Sequence, residues 1–183
     1  MLTKIVERLN QAVPGSVLEQ EAVDEDNRLT IARDDIKKVY RTLKRDPDFN
    51  FKLLVDLSCV DYLGEDERFE VIYQLHSLTA NERLRLKVRV PEGERIDTVS
   101  GVWAVADPLE REVWDMFGVE FEGHPNLTRL LMYDEFKGHP LRKDYPLKGH
   151  QPIIKLRMPI ETKDDPPYFW DTFQERRKQD LDD

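Results

Sequence analysis

At 183 residues, 39% apolar and 36% charged, the chain is long enough for one domain with a substantial core and too short for two of ordinary size. A formal net charge of −9 excludes generic nucleic-acid binding, which needs a basic surface. Cys59 is the single cysteine, which excludes an intrachain disulfide and an iron–sulfur cluster held by this chain alone, since a cluster takes about four thiolates.

No apolar run approaches the roughly 18 residues of a membrane span, so no direct span is expected. The opening Met-Leu-Thr-Lys-Ile-Val-Glu lacks the apolar core of a secretory signal, which points to the cytoplasm. No glycine-rich fingerprint for flavin or nicotinamide follows a strand.

In chain order, residues 2–12 read as a short helix with Leu2, Ile5, Val6 and Leu9 on one face, ended by Pro14-Gly15. Ser16 to Glu21 and Arg28 to Ile31 read as strands joined through the acidic turn at residues 24–27. Residues 34–45 read as an amphipathic helix with Ile36, Val39, Tyr40 and Leu43 inward, stopped by Asp46-Pro47. Three strands follow. Phe51, Leu53, Val55 and Leu57 are expected inward on the first, Phe69, Val71, Tyr73 and Leu75 on the second, and Leu84, Leu86, Val88 and Val90 on the third. An acidic loop, Asp61 to Glu67, joins the first two, and the short 79–82 link suits a hairpin. From Ile96 the chain reads as helical through Val99, Val102 and Trp103. The expected class is α+β: an antiparallel or mixed sheet, read as an antiparallel meander, with helices on one face.

The next helix is strongly signalled. Asp107 is a good N-cap, Pro108 suits the first helical position, and Glu110 is placed to close a capping box. Leu109, Val113, Met116 and Phe117 form its apolar face, and Gly118 is placed to end it in a left-handed turn. Beyond Gly118 the composition shifts, with seven of the eleven prolines, yet aromatic and aliphatic residues continue. That combination predicts a domain over 1–118 and an extended, partner-binding segment over 119–183. Forty extended residues could reach about 130 Å across a partner. Charge is segregated along the segment, basic over 137–157 and acidic over 158–183.

Several words stand in fixed order here: Glu110-Arg111-Glu112, Asp115-Met116-Phe117-Gly118, Gly123-His124-Pro125, and Gly138-His139-Pro140-Leu141-Arg142-Lys143-Asp144-Tyr145-Pro146. Together with the strands from Phe69 to Val90 they closely resemble the C subunit, the 30 kDa subunit family, of the proton-pumping NADH:quinone oxidoreductase, respiratory complex I. Pro108 and Phe136 are mild departures, standing where the family often has an aromatic and a tryptophan. The resemblance implies a structural, non-redox subunit of the hydrophilic arm, not catalytic alone, as a peripheral subunit on the cytoplasmic face of the inner membrane. It implies that iron–sulfur clusters, FMN and quinone are carried by partner subunits, with the quinone-site D subunit and the cluster-bearing B and I subunits as neighbours. It also assigns a subunit interface to Glu110, Arg111, Glu112, Asp115, Phe117, Gly118, Gly123, His124, Pro125, Arg129 and the run from Gly138 to Pro146.

The same residues admit other readings. By themselves, Glu110, Arg111, Glu112 and Asp115 form a solvated face with Arg111 and Asp115 at i,i+4, and the resemblance turns that face into a subunit contact. His124, His139 and His150 could serve a metal-dependent hydrolase, but each sits beside glycine in a turn and no helical His-x-x-x-His pair occurs. An equivalent subunit of a related membrane-bound hydrogenase, or of a dehydrogenase with another donor, fits the same words. Cys59 and His76 read as sheet residues, Trp103 and Trp114 as core, and Trp170 as a residue for a partner pocket.

Overall fold

The computed structural model describes residues 2–23, 26–148 and 151. The readings that fall on 152–183, Trp170 and the acidic end among them, and on His150 lie outside those residues.

Helix α1 (Leu2–Ala12) leads into strands β1 (Val17–Val23) and β2 (Asp26–Ile31), an antiparallel pair. A 3-10 turn (Arg33–Asp35) feeds α2 (Ile36–Arg45), which crosses to β3 (Leu53–Asp61). Strands β4 (Phe69–Ser77) and β5 (Glu82–Val90) continue antiparallel. The order is β1-β2-β5-β4-β3, so β5 returns beside β2 and runs parallel to it. The sheet is therefore mixed rather than the antiparallel meander that local patterning suggests. A crossover that brings two distant strands together leaves no mark in either strand's own alternation.

One face of this sheet is the core. Val71, Tyr73 and Leu75 on β4 and Leu84, Leu86, Val88 and Val90 on β5 are buried, as alternation predicts. They join Ile5 and Leu9 of α1 and Ile36, Val39, Tyr40 and Leu43 of α2 in one cluster. Tyr40 lies at its centre, with ring centroids 4.9 Å from Tyr73 and 5.3 Å from Trp103.

Strand β3 departs from the expected phase. Leu54 and Leu57 are buried, whereas Leu53 and Val55 are 40% and 57% exposed. The register slips between Leu54, which pairs with Leu75, and Asp56, which pairs with Gln74. The extra residue, Val55, makes a β-bulge that exchanges the inward and outward positions on either side of it.

The stretch from Ile96 is a strand rather than a helix. β6 (Arg95–Asp97) pairs parallel with β7 (Glu120–Glu122), setting Ile96 beside Phe121, both buried. Turns at 99–105 then carry the chain into α3 (Ala106–Phe117). This helix starts earlier than expected, with Val105 at the N-cap and no side-chain cap, so Asp107 and Pro108 sit inside its first turn. Glu110 is free of the expected capping box because it is used elsewhere.

Gly118 ends α3 with φ 77°. A Cβ there would stand 2.5 Å from Arg142 Nη2 and 2.6 Å from His139 Cδ2. Gly118→Ala is therefore expected to destabilise the chain by more than the roughly 1–2 kcal/mol of a left-handed non-glycine residue alone. Urea unfolding of the purified chain measures it.

Candidate functional site

The segment after Gly118 has little regular structure, and polar side chains hold it to the body. The compact unit runs from Met1 to Pro152 rather than stopping at Gly118. Three buried groups account for this.

The first is Asp115, fully buried on α3. Its Oδ2 accepts the backbone N–H groups of Leu130, Leu131 and Met132 at 3.1, 2.8 and 2.9 Å, and its Oδ1 accepts Arg129 Nη1 at 2.5 Å. Burial pushes the Asp115 carboxyl up, but the N–H groups of Met132 and Leu131, the Arg129 guanidinium and the N–H of Leu130 outweigh it and leave the group below its usual range. Arg129 Nη2 also donates to the carbonyls of Phe136 and Gly138, and Arg111 donates to those of Thr128 and Arg129. Two arginines and one carboxylate thus replace a strand ladder for residues 128–138.

The second is Glu110, also fully buried. It accepts Thr98 Oγ1 at 2.5 Å and the backbone N–H of Val99 at 2.7 Å, tying α3 to the end of β6. Burial lifts its carboxyl to about 7, against the opposing bonds from Thr98 and Val99. Asp107 adds to the rise and Lys37 opposes it. The His124 side chain is buried nearby, its Nε2 3.9 Å from Glu110 Oε2 and 3.1 Å from the Asp107 carbonyl.

The third is Arg68, whose side chain is 5% exposed. Its Nε and Nη2 donate to the two oxygens of Asp61 at 2.8 and 2.9 Å, Nη1 to Glu92 at 2.9 Å, and Nη1 and Nη2 to Asp144 at 3.1 and 2.7 Å. The guanidinium holds both the Asp61 and the Asp144 carboxyl below the usual range. Asp61 Oδ2 also accepts the backbone N–H of Lys143 at 2.7 Å. Beside it Arg142 donates to the Phe117 carbonyl and to Glu92, at 2.5 and 2.9 Å, and its guanidinium lies 5.2 Å from the Phe69 ring centre.

This arrangement revises the residue assignments read from the sequence. Glu110, Arg111, Glu112 and Asp115 do not form one charged face: Glu110 and Asp115 are buried, Arg111 is half-buried and bound to the next loop, and Glu112 is exposed. Arg142 and Asp144 lie on the β3–β4 body rather than apart from it, because Arg68 and the Phe117 carbonyl need them. His139 Nδ1 bonds the Asp115 carbonyl at 3.0 Å, and burial lowers its pKa. Gly123, Pro125 and Gly138 serve turns and are exposed, as are Leu141, Lys143 and Pro146, while Phe117, Pro140 and Tyr145 are half-buried. Tyr145 stacks on Phe136 at 6.0 Å. Among the described residues no group of three or more His, Cys, Asp or Glu could hold a metal ion, and the two described loop histidines are each bonded to a helix carbonyl. Nothing here supports the hydrolase reading. Asp61, Arg68, Glu92 and Thr98 belong to no word that the sequence singles out. Their one signal is Arg68 as a lone base closing the acidic run 65–67.

Large apolar side chains also face outward in this segment, among exposed charged ones such as Asp134, Glu135, Lys137 and Lys143. Leu130, Leu131, Tyr133, Leu141 and Leu147 are all exposed, at 40, 56, 37, 55 and 99%. Contiguous apolar surface marks protein contacts, and these five residues fall within 18 positions of one another in the sequence.

Removing Arg68 leaves Asp61 buried and unpaired, so Arg68→Ala is expected to cost about 3–5 kcal/mol. Asp144→Ala, at a carboxylate 48% exposed, should cost about 1 kcal/mol or less. Urea unfolding separates the two. Glu110 gives a pH test. Its carboxyl titrates at 4.5 ordinarily and at about 7 in the fold, so its contribution is complete below pH 4.5 and is lost as pH rises through about 7. Glu110→Gln cannot titrate. Its stability relative to the unaltered chain should rise between about pH 5 and about pH 8, by up to about 3 kcal/mol. A flat difference across that range would show that Glu110 does not carry the raised pKa.

The family profile described as "Respiratory-chain NADH dehydrogenase, 30 Kd subunit" matches residues 29–151. The NADH-quinone oxidoreductase C subunit of Geobacter metallireducens is 47% identical over 148 residues, covering 80% of this chain and 90% of the relative. The corresponding C subunit of Geotalea uraniireducens is 44% identical over 147 residues, 80% of this chain and 88% of the relative. Among solved structures, a chain of the membrane-bound sulfane sulfur reductase, an archaeal respiratory membrane complex, superposes with a TM-score of 0.68 at 26% identity, covering 80% of this chain and 86% of that one. With the profile spanning most of the fold and the clasp residues, the chain belongs to the 30 kDa subunit family of the respiratory-chain NADH dehydrogenase.

Proposed function

We propose that this chain is the C subunit of an NADH:quinone oxidoreductase, a structural subunit through which electrons do not pass. The observation that carries the reading is identity of 44% and 47% to two named C subunits over four-fifths of the chain. In that role it takes part in electron transfer from NADH to quinone, coupled to proton translocation, as one member of the complex. Iron–sulfur clusters, FMN and quinone belong to partner subunits. The lone thiol supports this: Cys59 is buried, and burial pushes it up to about 12, which makes it a poor ligand or redox group.

The place proposed is the hydrophilic arm, on the cytoplasmic face of the membrane, against the quinone-site D subunit and near the B and I subunits. Among the described residues no helix is long and apolar enough to cross a membrane, which fits a peripheral position. The docking surface is the apolar rim of the 130–147 segment, with Glu112 and Lys143 beside it. The other interface residues read from the family act from behind it by holding the segment in shape.

A second reading has its own support. The match to the sulfane sulfur reductase chain favours a related respiratory membrane complex with another electron donor, at the lower identity of 26%. Gentle native purification of the tagged chain from membranes separates the two by the co-purifying chains. Recovery with the NADH-oxidising subunits supports the first reading, and recovery of the chain alone overturns both.

The rim gives a further test. Leu131→Glu and Leu141→Glu alter exposed side chains, so the free chain should keep its melting temperature. Recovery of the complex should fall about tenfold or more, corresponding to about 1.4 kcal/mol. Normal recovery would remove the 130–147 rim from the interface. The isolated chain should be colourless, and stoichiometric iron or flavin in it would sink the non-redox assignment.

A further inference from the structure

A second surface, away from the 107–147 segment, has the composition of a docking site. The C-terminal end of α2, the loop after it and the turn at 101–102 enclose an open cleft of about 640 Å3. Arg41, Lys44, Arg45 and Lys52 line it, with no acidic residue among the lining. In a chain of net charge −9, four cations around one cleft is a local reversal of sign.

The nearest carboxylates are committed elsewhere. Asp46 and Asp48, in the loop that forms the rim, both bond Arg8 of α1, each at 3.0 Å. Asp46 does line the shallow hollow next door with Arg41, Thr42 and Arg45, but its charge is met by Arg8. Lys44 is fixed as a wall: it donates to the Val102 carbonyl and lies 5.9 Å from the Trp103 ring centre. Arg41, Arg45 and Lys52 are exposed and have no carboxylate partner among the described residues. Their position also opposes a purely local explanation. A helix C-terminus welcomes one or two cations in its last turn, but Lys52 lies beyond the helix and lines the same space.

We infer that this cleft docks an acidic, extended polypeptide segment of a neighbouring subunit, whose carboxylates pair with Arg41, Arg45 and Lys52. The inference rests on the chain being a subunit of a larger complex. The size and spread of the cations favour a segment with two or more carboxylates over a single small anion, which would use one cation and leave the rest unpaired. Arginine at two of the three positions suits forked pairing with carboxylates.

Carbodiimide coupling tests this on the intact complex, because it joins an amine to a carboxylate already in contact with it. Complex purified from membranes is treated with a water-soluble carbodiimide, digested, and searched for cross-linked peptides. Lys52 should be joined to an aspartate or glutamate of another subunit, and the amine introduced by Arg45→Lys should give a second junction to the same segment. Coupling only within this chain, or no coupling at Lys52, would overturn the inference while leaving the subunit assignment intact. If the chain does not co-purify with a membrane complex, both fall. As an independent readout, Arg41→Glu combined with Lys52→Glu, both outside the last turn of α2, should leave the melting of the free chain unchanged and lower recovery of the complex about tenfold, or about 1.4 kcal/mol. Unchanged recovery would also overturn the inference.

Discussion

A buried guanidinium organises this chain. Arg68 sits where β3 turns into β4, and all five of its N–H bonds are used: two on Asp61, one on Glu92 and two on Asp144. Asp61 and Glu92 lie in the sheet region, but they account for only three of the five donors. Closing the set takes Asp144, which is remote from both in sequence. Asp61 already pairs the buried charge, and the half-exposed Asp144 supplies the remaining two bonds when the 138–147 segment docks. That contact, with the Lys143 N–H bond to Asp61, helps fix where an otherwise irregular stretch lies, and with the Asp115 and Glu110 contacts it carries the compact unit beyond Gly118.

Helix α3 repeats the principle with two carboxylates in opposite states. Asp115 and Glu110 are both fully buried on the same helix. Asp115 meets three backbone N–H groups and a guanidinium, so its charge is stabilised and its pKa falls. Glu110 meets one N–H and one hydroxyl, which do not offset burial, and its pKa rises to about 7. When protonated it can donate to Thr98 Oγ1, a hydroxyl also within 2.8 Å of Ser100 Oγ, so the neutral form keeps its hydrogen bonds and avoids the cost of burying a charge. The first carboxylate is a fixed anchor for the following loop. The second is a joint between α3 and β6 whose strength depends on pH.

Much of the fold is legible in the sequence because apolar periodicity reports directly on burial. It locates α1, α2, β4, β5 and the left-handed stop at Gly118. It fails where a long-range pairing decides the outcome. The Val55 bulge reverses β3 because β4 fixes the register on either side of it, and Ile96 becomes a strand because Phe121 is available to pair with it. The words from Glu110 to Pro146 identify the family, but charge on a helix suggests exposure, and here it is the wrong guide. Glu110 and Asp115 are buried because their partners, Val99 and residues 130–132, arrive from outside the helix, and no helical wheel contains them. Arg68 is invisible for the same reason: its second aspartate is remote in sequence.

The way the 119–147 segment is held also determines what it can offer a partner. A strand satisfies its backbone by pairing with other backbone and leaves its side chains for recognition. Here the backbone carbonyls of Phe117, Thr128, Arg129, Phe136 and Gly138 are met by arginine side chains, and the N–H groups of 130–132 by a carboxylate. Of the charged residues that a sequence reading assigns to recognition, Arg111, Asp115, Arg129, Arg142 and Asp144 are engaged in shaping the segment, while Glu112 and Lys143 stay exposed. What remains outside includes Leu130, Leu131, Leu141 and Leu147, set among exposed polar and charged residues. In the proposed docking such a surface offers shape and apolar contact beside Glu112 and Lys143, and a charge lost from the clasp would weaken it indirectly, by letting the leucines move. The cationic cleft beside α2 has the converse construction: a regular helix satisfies its own backbone and leaves Arg41 and Arg45 unspent. The two surfaces therefore differ in their dependence on salt. Contacts at the α2 cleft weaken as ionic strength rises, because exposed charges are screened within about 10 Å at about 0.1 M, whereas the leucine rim depends on burial of apolar area and is held in place chiefly by Arg68, Asp61 and Asp115, whose side chains are almost wholly buried.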